Sequence, residues 1–452
     1  MDDSFDLVVL GTGSGGSAPA SKCRAAGWQV AVVDDQPYGG TCALRGCDPK
    51  KVLVGAADLV AWHTRMREHG VAGEATIEWP ALMRFKRTFT DPVPADRETA
   101  LKKAGIETLH GEARFVAADR LIVGDRDLTA KHIVIAIGSR PRPLGIPGED
   151  LVSTSTQFLE LDVLPPRIAF VGAGYISLEF AHIARQAGAE VVVLGRGAPL
   201  PRFDAALVGR LLAHSRDMGI DVRLNSPVTG VERVGGSGAL RVHAGEEPTT
   251  DTIETDLVVH GAGRAPNTAG LRADVGSVRI DRHGAVEVNE FLQSTTNPRV
   301  YAAGDVVLPP GSIPLTPVAA HEGAVVASNL LHGNAKRPDY SGIPSVVFTL
   351  PPLAGVGLTE KAARDKGLRV RTETGDTTGW YSNRRVREPV GMFKTIVDAD
   401  SDRVLGAHLL GAQVEESINL FALAVRFGIA AKELRQMIYA YPTSGSDIPY
   451  ML

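Results

Sequence analysis

Apolar residues dominate positions 5–10, give way to glycine and small polar residues at 11–16, return with helical spacing to about residue 27, and dominate again at 29–33. Short apolar runs bounded by turn residues read as strands buried on both faces, and the alanine-rich stretch between them reads as a helix packed on such a sheet. The same succession recurs: strand 167–171, turn 172–177, helix 178–187, strand 190–194. Between the two, the spacing predicts a long helix over 52–69, further helix over 80–103 interrupted near Pro92 and Pro94, and strands at 106–109, 120–123 and 131–137. Return strands follow at 256–260 and 300–305. Beyond residue 331 the pattern changes to strands that look antiparallel (345–349, 391–397, 403–410) with helices at 360–366 and 415–427. The expected fold class is α/β: two Rossmann-like dinucleotide-binding domains followed by a carboxyl-terminal α+β module of the kind that forms dimers.

Composition narrows the function classes. A chain of 452 residues is too long for one hydrophobic core and predicts two to four domains. A net charge of -4 without a basic block excludes a nucleic-acid surface, and no apolar run reaches the ~18 to 20 residues of a membrane span. A soluble cytoplasmic protein is the expectation. Neither a Gly-x-Ser-x-Gly elbow nor a His-Glu-x-x-His helix is present, so hydrolase chemistry has no footing.

The turns carry the candidate chemistry. Gly11-Thr12-Gly13-Ser14-Gly15-Gly16 sits between strand and helix, and Asp34 ends the following strand. Glycines there let the backbone approach a pyrophosphate at the helix start, and the acid about 20 residues on accepts ribose hydroxyls. The second turn, Gly172-Ala173-Gly174-Tyr175-Ile176-Ser177, has a serine in the third small position and no acid after its second strand. Arg196 and Arg202 stand there instead, and forked donors suit a 2'-phosphate, so this site prefers NADPH to NADH. Gly138 and Ser139, Gly263 and Arg264, and Gly304 and Asp305 end or follow other apolar runs, where ligands collect in such sheets.

The stretch Gly39-Gly40-Thr41-Cys42-Ala43-Leu44-Arg45-Gly46-Cys47-Asp48-Pro49-Lys50-Lys51 reads as a redox-active pair entering a helix. An amide-rich helix start and two lysines favour a thiolate below the free value of ~8.5. Zinc would need closer spacing and a second cysteine pair, and the only other cysteine is Cys23, which reads as buried filler. No metal site is expected, and His63 and His69 read as surface residues. A structural disulfide is the alternative, but few cysteines in a chain without a signal sequence indicate a reducing compartment, where disulfides are usually catalytic.

Two fingerprints with Cys-x4-Cys-x-Pro-Lys-Lys after the first resemble the FAD-dependent pyridine nucleotide-disulfide oxidoreductases, the family of glutathione reductase, dihydrolipoamide dehydrogenase and mercuric reductase. The motifs Gly138-Ser139, Gly263-Arg264, Gly304-Asp305, Leu315-Thr316-Pro317 and Val356-Gly357-Leu358-Thr359-Glu360 follow in the family's order. The resemblance implies an FAD-binding domain at 1–145, an NAD(P)-binding domain at 146–265, a central segment at 266–333 completing the FAD domain, and a dimerisation domain at 334–452. It implies FAD at Gly11, Gly13, Ser14, Gly15, Gly16 and Asp34, with Gly40, Thr41 and Asp305 near its phosphates and ribityl chain. NADPH falls at Gly172, Gly174, Arg196 and Arg202. It implies Cys47 as the thiol against the flavin, Cys42 as the outer thiol that attacks a small disulfide, Lys50 and Glu179 as an ion pair beside the flavin, and Tyr175 as the ring over the nicotinamide pocket. A homodimer sharing its active site across the interface belongs to the same picture.

The departures matter as much. Where glutathione reductases end in His-x-His-Pro-Thr-x-x-Glu, this chain has Tyr439-Ala440-Tyr441-Pro442-Thr443-Ser444-Gly445-Ser446. Tyr441 replaces the histidine acid and base, and a phenol with pKa ~10 offers no ready lone pair for a proton. The mercuric reductases place a tyrosine near this position, but their carboxyl-terminal cysteine pair is absent, and the glutathione-holding arginines correspond to Ser21 and Ala324. The readings are therefore a disulfide reductase, a metal-ion or quinone reductase using Tyr441, and an NADPH-sensing flavoprotein without efficient turnover.

Overall fold

In the computed structural model, which describes residues 3–236, 238–245 and 250–452, the amino-terminal apolar run is the strand Asp3–Leu10, with Leu7, Val8, Val9 and Leu10 buried. It pairs in parallel with Val30–Asp34 on one side and Arg126–Ile135 on the other. Glu107–His110 extends the sheet beyond Val30–Asp34, and Val300–Ala302 pairs in parallel with the end of Arg126–Ile135. Arg120–Val123 and Ala113–Ala117 complete seven strands in antiparallel fashion. The register sets Leu10 opposite both Val33 and Ile135, and Ala302 opposite Ile135. The turns that follow these strands thus gather at one sheet edge, where α/β folds bind ligands. The helix Ser14–Ala25 packs against Thr316–His332. Small residues permit this contact, since a Cβ on Gly323 would sit 2.4 Å from the Gly15 carbonyl oxygen. These elements belong to one compact unit, made of the chain up to Lys50, Phe85–Arg142 and Gly263–Tyr340.

The other unit comprises Lys51–Arg84, Pro143–Ala262 and Ser341–Leu452. Its parallel sheet runs Ile220–Arg223, Glu190–Leu194, Arg167–Val171, Leu257–His260, beside a three-stranded antiparallel sheet of Val228–Arg233, Leu240–Ala244 and Asp251–Thr255. A five-stranded antiparallel sheet follows in the order Ser345–Val347, Leu353–Gly357, Val404–Leu410, Met392–Asp398, Val370–Asp376. The helix Val414–Phe427 covers it with Ile418 and Phe421 fully buried. Each such side chain contributes roughly 1.5–3 kcal/mol. Its other side leaves Leu423 and Phe427 exposed. The α/β class and the terminal α+β module are as the pattern predicts.

Several elements depart from the expectation. The helix expected over 52–69 is Cys47–Met66, beginning at Cys47 because Pro49 falls in the first turn, where its missing N–H costs nothing. The segment 80–103 divides into Trp79–Thr90 and Val93–Lys103, with Pro92 as the second helix's N-cap. Leu353–Gly357 and Val370–Asp376 are strands that the pattern did not separate from loops. Among the described residues no helix is long and apolar enough to cross a membrane, and no group of three metal-ligating side chains converges.

Candidate active site

The first glycine turn and the cysteine stretch lie against each other within the first unit. Gly40 has φ +73°, and a Cβ there would come within 2.5 Å of Gly13 Cα, so only glycines allow this approach. Asp34 is held in place: its Oδ2 accepts from the Thr12 N–H at 2.8 Å and the Thr12 hydroxyl at 2.6 Å, and its Oδ1 from the Gln36 N–H at 3.0 Å. Thr12 Oγ also accepts from the Gly39 N–H at 3.0 Å, which ties Asp34 to the start of the cysteine stretch. Thr12 lies inside the first fingerprint but had no assigned role. Ser14 opens its helix behind Gly13 without a side-chain cap, leaving the first amides available to an anion.

Gly40–Arg45 is a short helix carrying Thr41 and Cys42, and it breaks at Gly46 before Cys47 opens the long one. Both cysteines are free thiols, Cys42 half-buried and Cys47 exposed. Cys47 Sγ lies 3.4 Å from Thr316 Oγ1, and Cys42 Sγ lies 3.8 Å from Asp48 Oδ1. A hydrogen bond from Cys42 pulls the Cys47 thiol down to about 6, helped by the Thr316 hydroxyl and the Lys50 charge and opposed by burial. The same contact and burial push the Cys42 thiol up. The two thiols are therefore unlike: the surroundings favour the thiolate at Cys47 and disfavour it at Cys42. Thr316 opens the helix Thr316–His332. The sequence marks it only as part of the Leu315-Thr316-Pro317 motif and gives it no role.

Ser139, Arg264 and Asp305 converge. Ser139 Oγ donates to Asp305 Oδ2 at 2.9 Å and accepts from Arg264 Nε at 2.9 Å, while the Arg264 guanidinium also donates to the Ser139 carbonyl. The strands Ser139–Pro141 and Arg264–Pro266, flanked by Gly138 and Gly263, pair antiparallel to hold them. The Gly304 N–H donates to the fully buried Glu322 at 2.7 Å, and Glu322 also accepts from Ser312 and Tyr340 hydroxyls at 2.9 and 2.7 Å. Burial pushes the Glu322 carboxyl up, with those three donors opposing. Glu322 thus fixes the turn that presents Asp305, and nothing in the sequence pattern singled it out.

In the second unit, Gly172 has φ +98° and a Cβ there would lie 2.7 Å from Ala262 Cα. Gly174 caps the helix Tyr175–Gln186. Ser177, in the third small position, is fully buried and packs on Gly261. Tyr175 is exposed. Glu179 is buried and accepts from the Phe348 N–H at 2.9 Å. Arg196 and Arg202 are exposed, and neither forms an ion pair among the described residues. Tyr441 is exposed, its ring 6.4 Å from that of Tyr381. Ser446, at the position of the family's glutamate, is bonded back to Thr443, whose hydroxyl accepts from the Ser446 N–H at 3.3 Å. Thr443 is the N-cap of the helix Ser444–Met451, and Ser446 completes its capping box by accepting from the Thr443 N–H. The role of Ser446 here is the cap.

An α/β unit with a glycine fingerprint and an asymmetric dithiol, in a chain that carries a second glycine fingerprint, defines a flavoprotein oxidoreductase that works through cysteine sulfur. Residues 5–323 match the pyridine nucleotide-disulphide oxidoreductase family and 343–451 its dimerisation domain. The chain belongs to this family. It is 33% identical to a glutathione reductase of Burkholderia cepacia over 98% of this chain and 97% of that protein. It is 31% identical to a mercuric reductase of Lysinibacillus sphaericus, over 99% of this chain and 82% of that one. A Cu(II) complex of the HOCl-induced flavoprotein disulfide reductase RclA from Escherichia coli superposes with a TM-score of 0.89 at 27% identity, over 99% and 98% of the two chains. Glutathione reductase-like members of the family use FAD and NADPH, and the dimerisation domain is that of a homodimer.

Proposed function

We propose that the protein is an NADPH-dependent reductase of a small disulfide, with Cys42 and Cys47 as its redox pair. The observation that carries this reading is the asymmetry of the pair: Cys47 opens a helix, faces Thr316 and feels the Lys50 charge, which favour its thiolate over that of Cys42. FAD, when bound, supplies the two-electron relay between nicotinamide and the cysteines. Asp34, steadied by Thr12, receives ribose hydroxyls. The helix start at Ser14 receives the pyrophosphate, and Asp305, steadied by Ser139 and Arg264, receives a hydroxyl near it. Arg196 and Arg202 hold the 2'-phosphate of NADPH. In the dithiol state, Cys42 sulfur attacks one sulfur of the substrate and one thiol leaves. Cys47 thiolate then attacks Cys42, the second thiolate leaves and is protonated from water, and the Cys42–Cys47 disulfide closes. The small number of cysteines suits a cytoplasmic setting.

The test is an anaerobic NADPH titration followed by a panel of small disulfides. A long-wavelength thiolate-to-flavin band and turnover that disappears in Cys42→Ser are expected. Turnover that survives that change sinks the reading. Reduction of a metal ion or quinone is the second reading, favoured by the exposed Tyr441 beside Tyr381 and by the mercuric reductase and Cu(II)-complex relatives. On that reading Tyr441→Phe alters metal or quinone turnover more than thiol exchange. An intact redox pair leaves little room for a protein that only senses NADPH.

A further inference from the structure

Cys42 must lose a proton to attack a disulfide, and this chain lacks the histidine that its relatives use. Tyr441 is a phenol, and Ser446 is committed to its cap. Cys47 thiolate is within reach of the Cys42 proton, but a proton parked there disarms the nucleophile that the second exchange needs. Another acceptor does lie on the spot. Asp48 Oδ1 is 3.8 Å from Cys42 Sγ, within hydrogen-bond reach of a thiol, and this is the side chain's only hydrogen bond among the described residues. Asp48 is the second residue of the helix that begins at Cys47, where the amide-rich start stabilises a carboxylate and fixes its backbone. It is exposed, so a proton on it can exchange with solvent or with a departing group. In sequence it is merely the variable residue of Cys-x-Pro.

We propose that Asp48 is the catalytic acid and base of the disulfide half-reaction, in place of the missing histidine. The inference rests on the disulfide-reductase reading above. As Cys42 sulfur attacks, its proton passes to Asp48 Oδ1. The S–S bond of the substrate breaks, and the departing thiolate takes that proton and leaves as a thiol. Cys47 thiolate then attacks Cys42 sulfur to close the protein disulfide, and the second thiolate is protonated from water. Two electrons move from the dithiol to the substrate, and the carboxylate is regenerated.

The proposal has a sign that a bystander carboxylate cannot imitate. A negative charge beside the pair disfavours both thiolates. If Asp48 acted by charge alone, Asp48→Asn would ease ionisation of Cys42 and leave disulfide turnover equal or faster. If it carries the proton, turnover falls. The experiment measures kcat/KM for a small disulfide in the holoenzyme from pH 6 to 9, normalised to the single-turnover rate of flavin bleaching by NADPH in the same variant, which also shows that the variant is folded and loaded. Asp48→Asn is expected to lose about 10- to 100-fold near pH 7, the low end of general acid–base effects, and to regain rate as pH rises and hydroxide takes over the proton. Asp48→Glu restores most of it. An unchanged or raised ratio in Asp48→Asn overturns the proposal while the disulfide-reductase reading stands. Wild-type enzyme that bleaches with NADPH yet turns over no disulfide overturns both.

Discussion

Thr316→Val removes the hydroxyl that lies against the Cys47 sulfur and keeps the side chain's shape, so it tests what that hydroxyl does for the thiolate. The contact is 3.4 Å long and Cys47 is exposed. A hydrogen bond to a charged group contributes roughly 1.5–3 kcal/mol when shielded, and solvent screening reduces it here to about 1.4 kcal/mol, or about one pKa unit. The direction follows from the species that gains: the hydroxyl donates to the thiolate, so its loss raises the pKa. From a wild-type value of about 6, the variant should titrate about one unit higher. At pH 7 the thiolate fraction then drops from about nine-tenths to about half. The assay is the pH dependence of iodoacetamide alkylation of the reduced protein, resolved by peptide mass to Cys47, so that it depends on neither flavin nor substrate. Two results refute the reasoning: a wild-type midpoint near that of a free thiol, or a midpoint that stays put when the hydroxyl is removed.

Two further outcomes follow from the second unit. Replacing Arg196 and Arg202 together with alanine should raise KM for NADPH by about 10- to 100-fold and change kcat/KM for NADH less than about twofold, because only the 2'-phosphate loses its donors; equal losses with both nucleotides contradict the assignment. Glu388, paired with Arg65 at 3.2 Å and otherwise buried, has its carboxyl pushed up by burial from 4.5 to about 7. Between those values the folded chain holds a proton that the unfolded chain has released, so stability falls as pH rises from about 4.5 to about 7, by about 3 kcal/mol, and then levels off. Denaturant unfolding of wild type and Glu388→Gln across that range checks it, since the glutamine variant should lack that part of the slope.

Both fingerprints were legible in the sequence because two independent signals coincide there: fully apolar strand runs and a glycine turn that no other residue type fits. The antiparallel sheet was only partly legible. Leu353–Gly357 is buried along four of its five residues but contains two glycines, so its pattern resembles a turn. Val370–Asp376 is an outer strand paired only with Met392–Asp398, and it is polar enough to lack an apolar period. Both strands depend on neighbours far away in the chain, which periodicity cannot see.

The site divides in the same way, and the division explains why its chemistry was harder to read than its cofactors. The glycine turns act through backbone shape and therefore leave a motif, as where Gly13 meets Gly40, and Asp34 is marked by its place at a strand end. Residues that set the state of the sulfur pair act through side-chain distance alone. Thr316 comes from 269 positions beyond Cys47. Tyr441 could be recognised as a replacement because the family's histidine position is marked by Pro442 and Thr443. What the replacement entails could not be read there, because the substituted position says that a base was lost and not where another one lies. That information is in the fold: Gly46 breaks the short helix and lets the next begin at Cys47, and the step between them turns Asp48 back toward the sulfur six residues earlier. A shift in the helix start by one residue would point this carboxylate elsewhere. The break at Gly46 is therefore as much a part of the dithiol's acid–base chemistry as the side chains that it aligns.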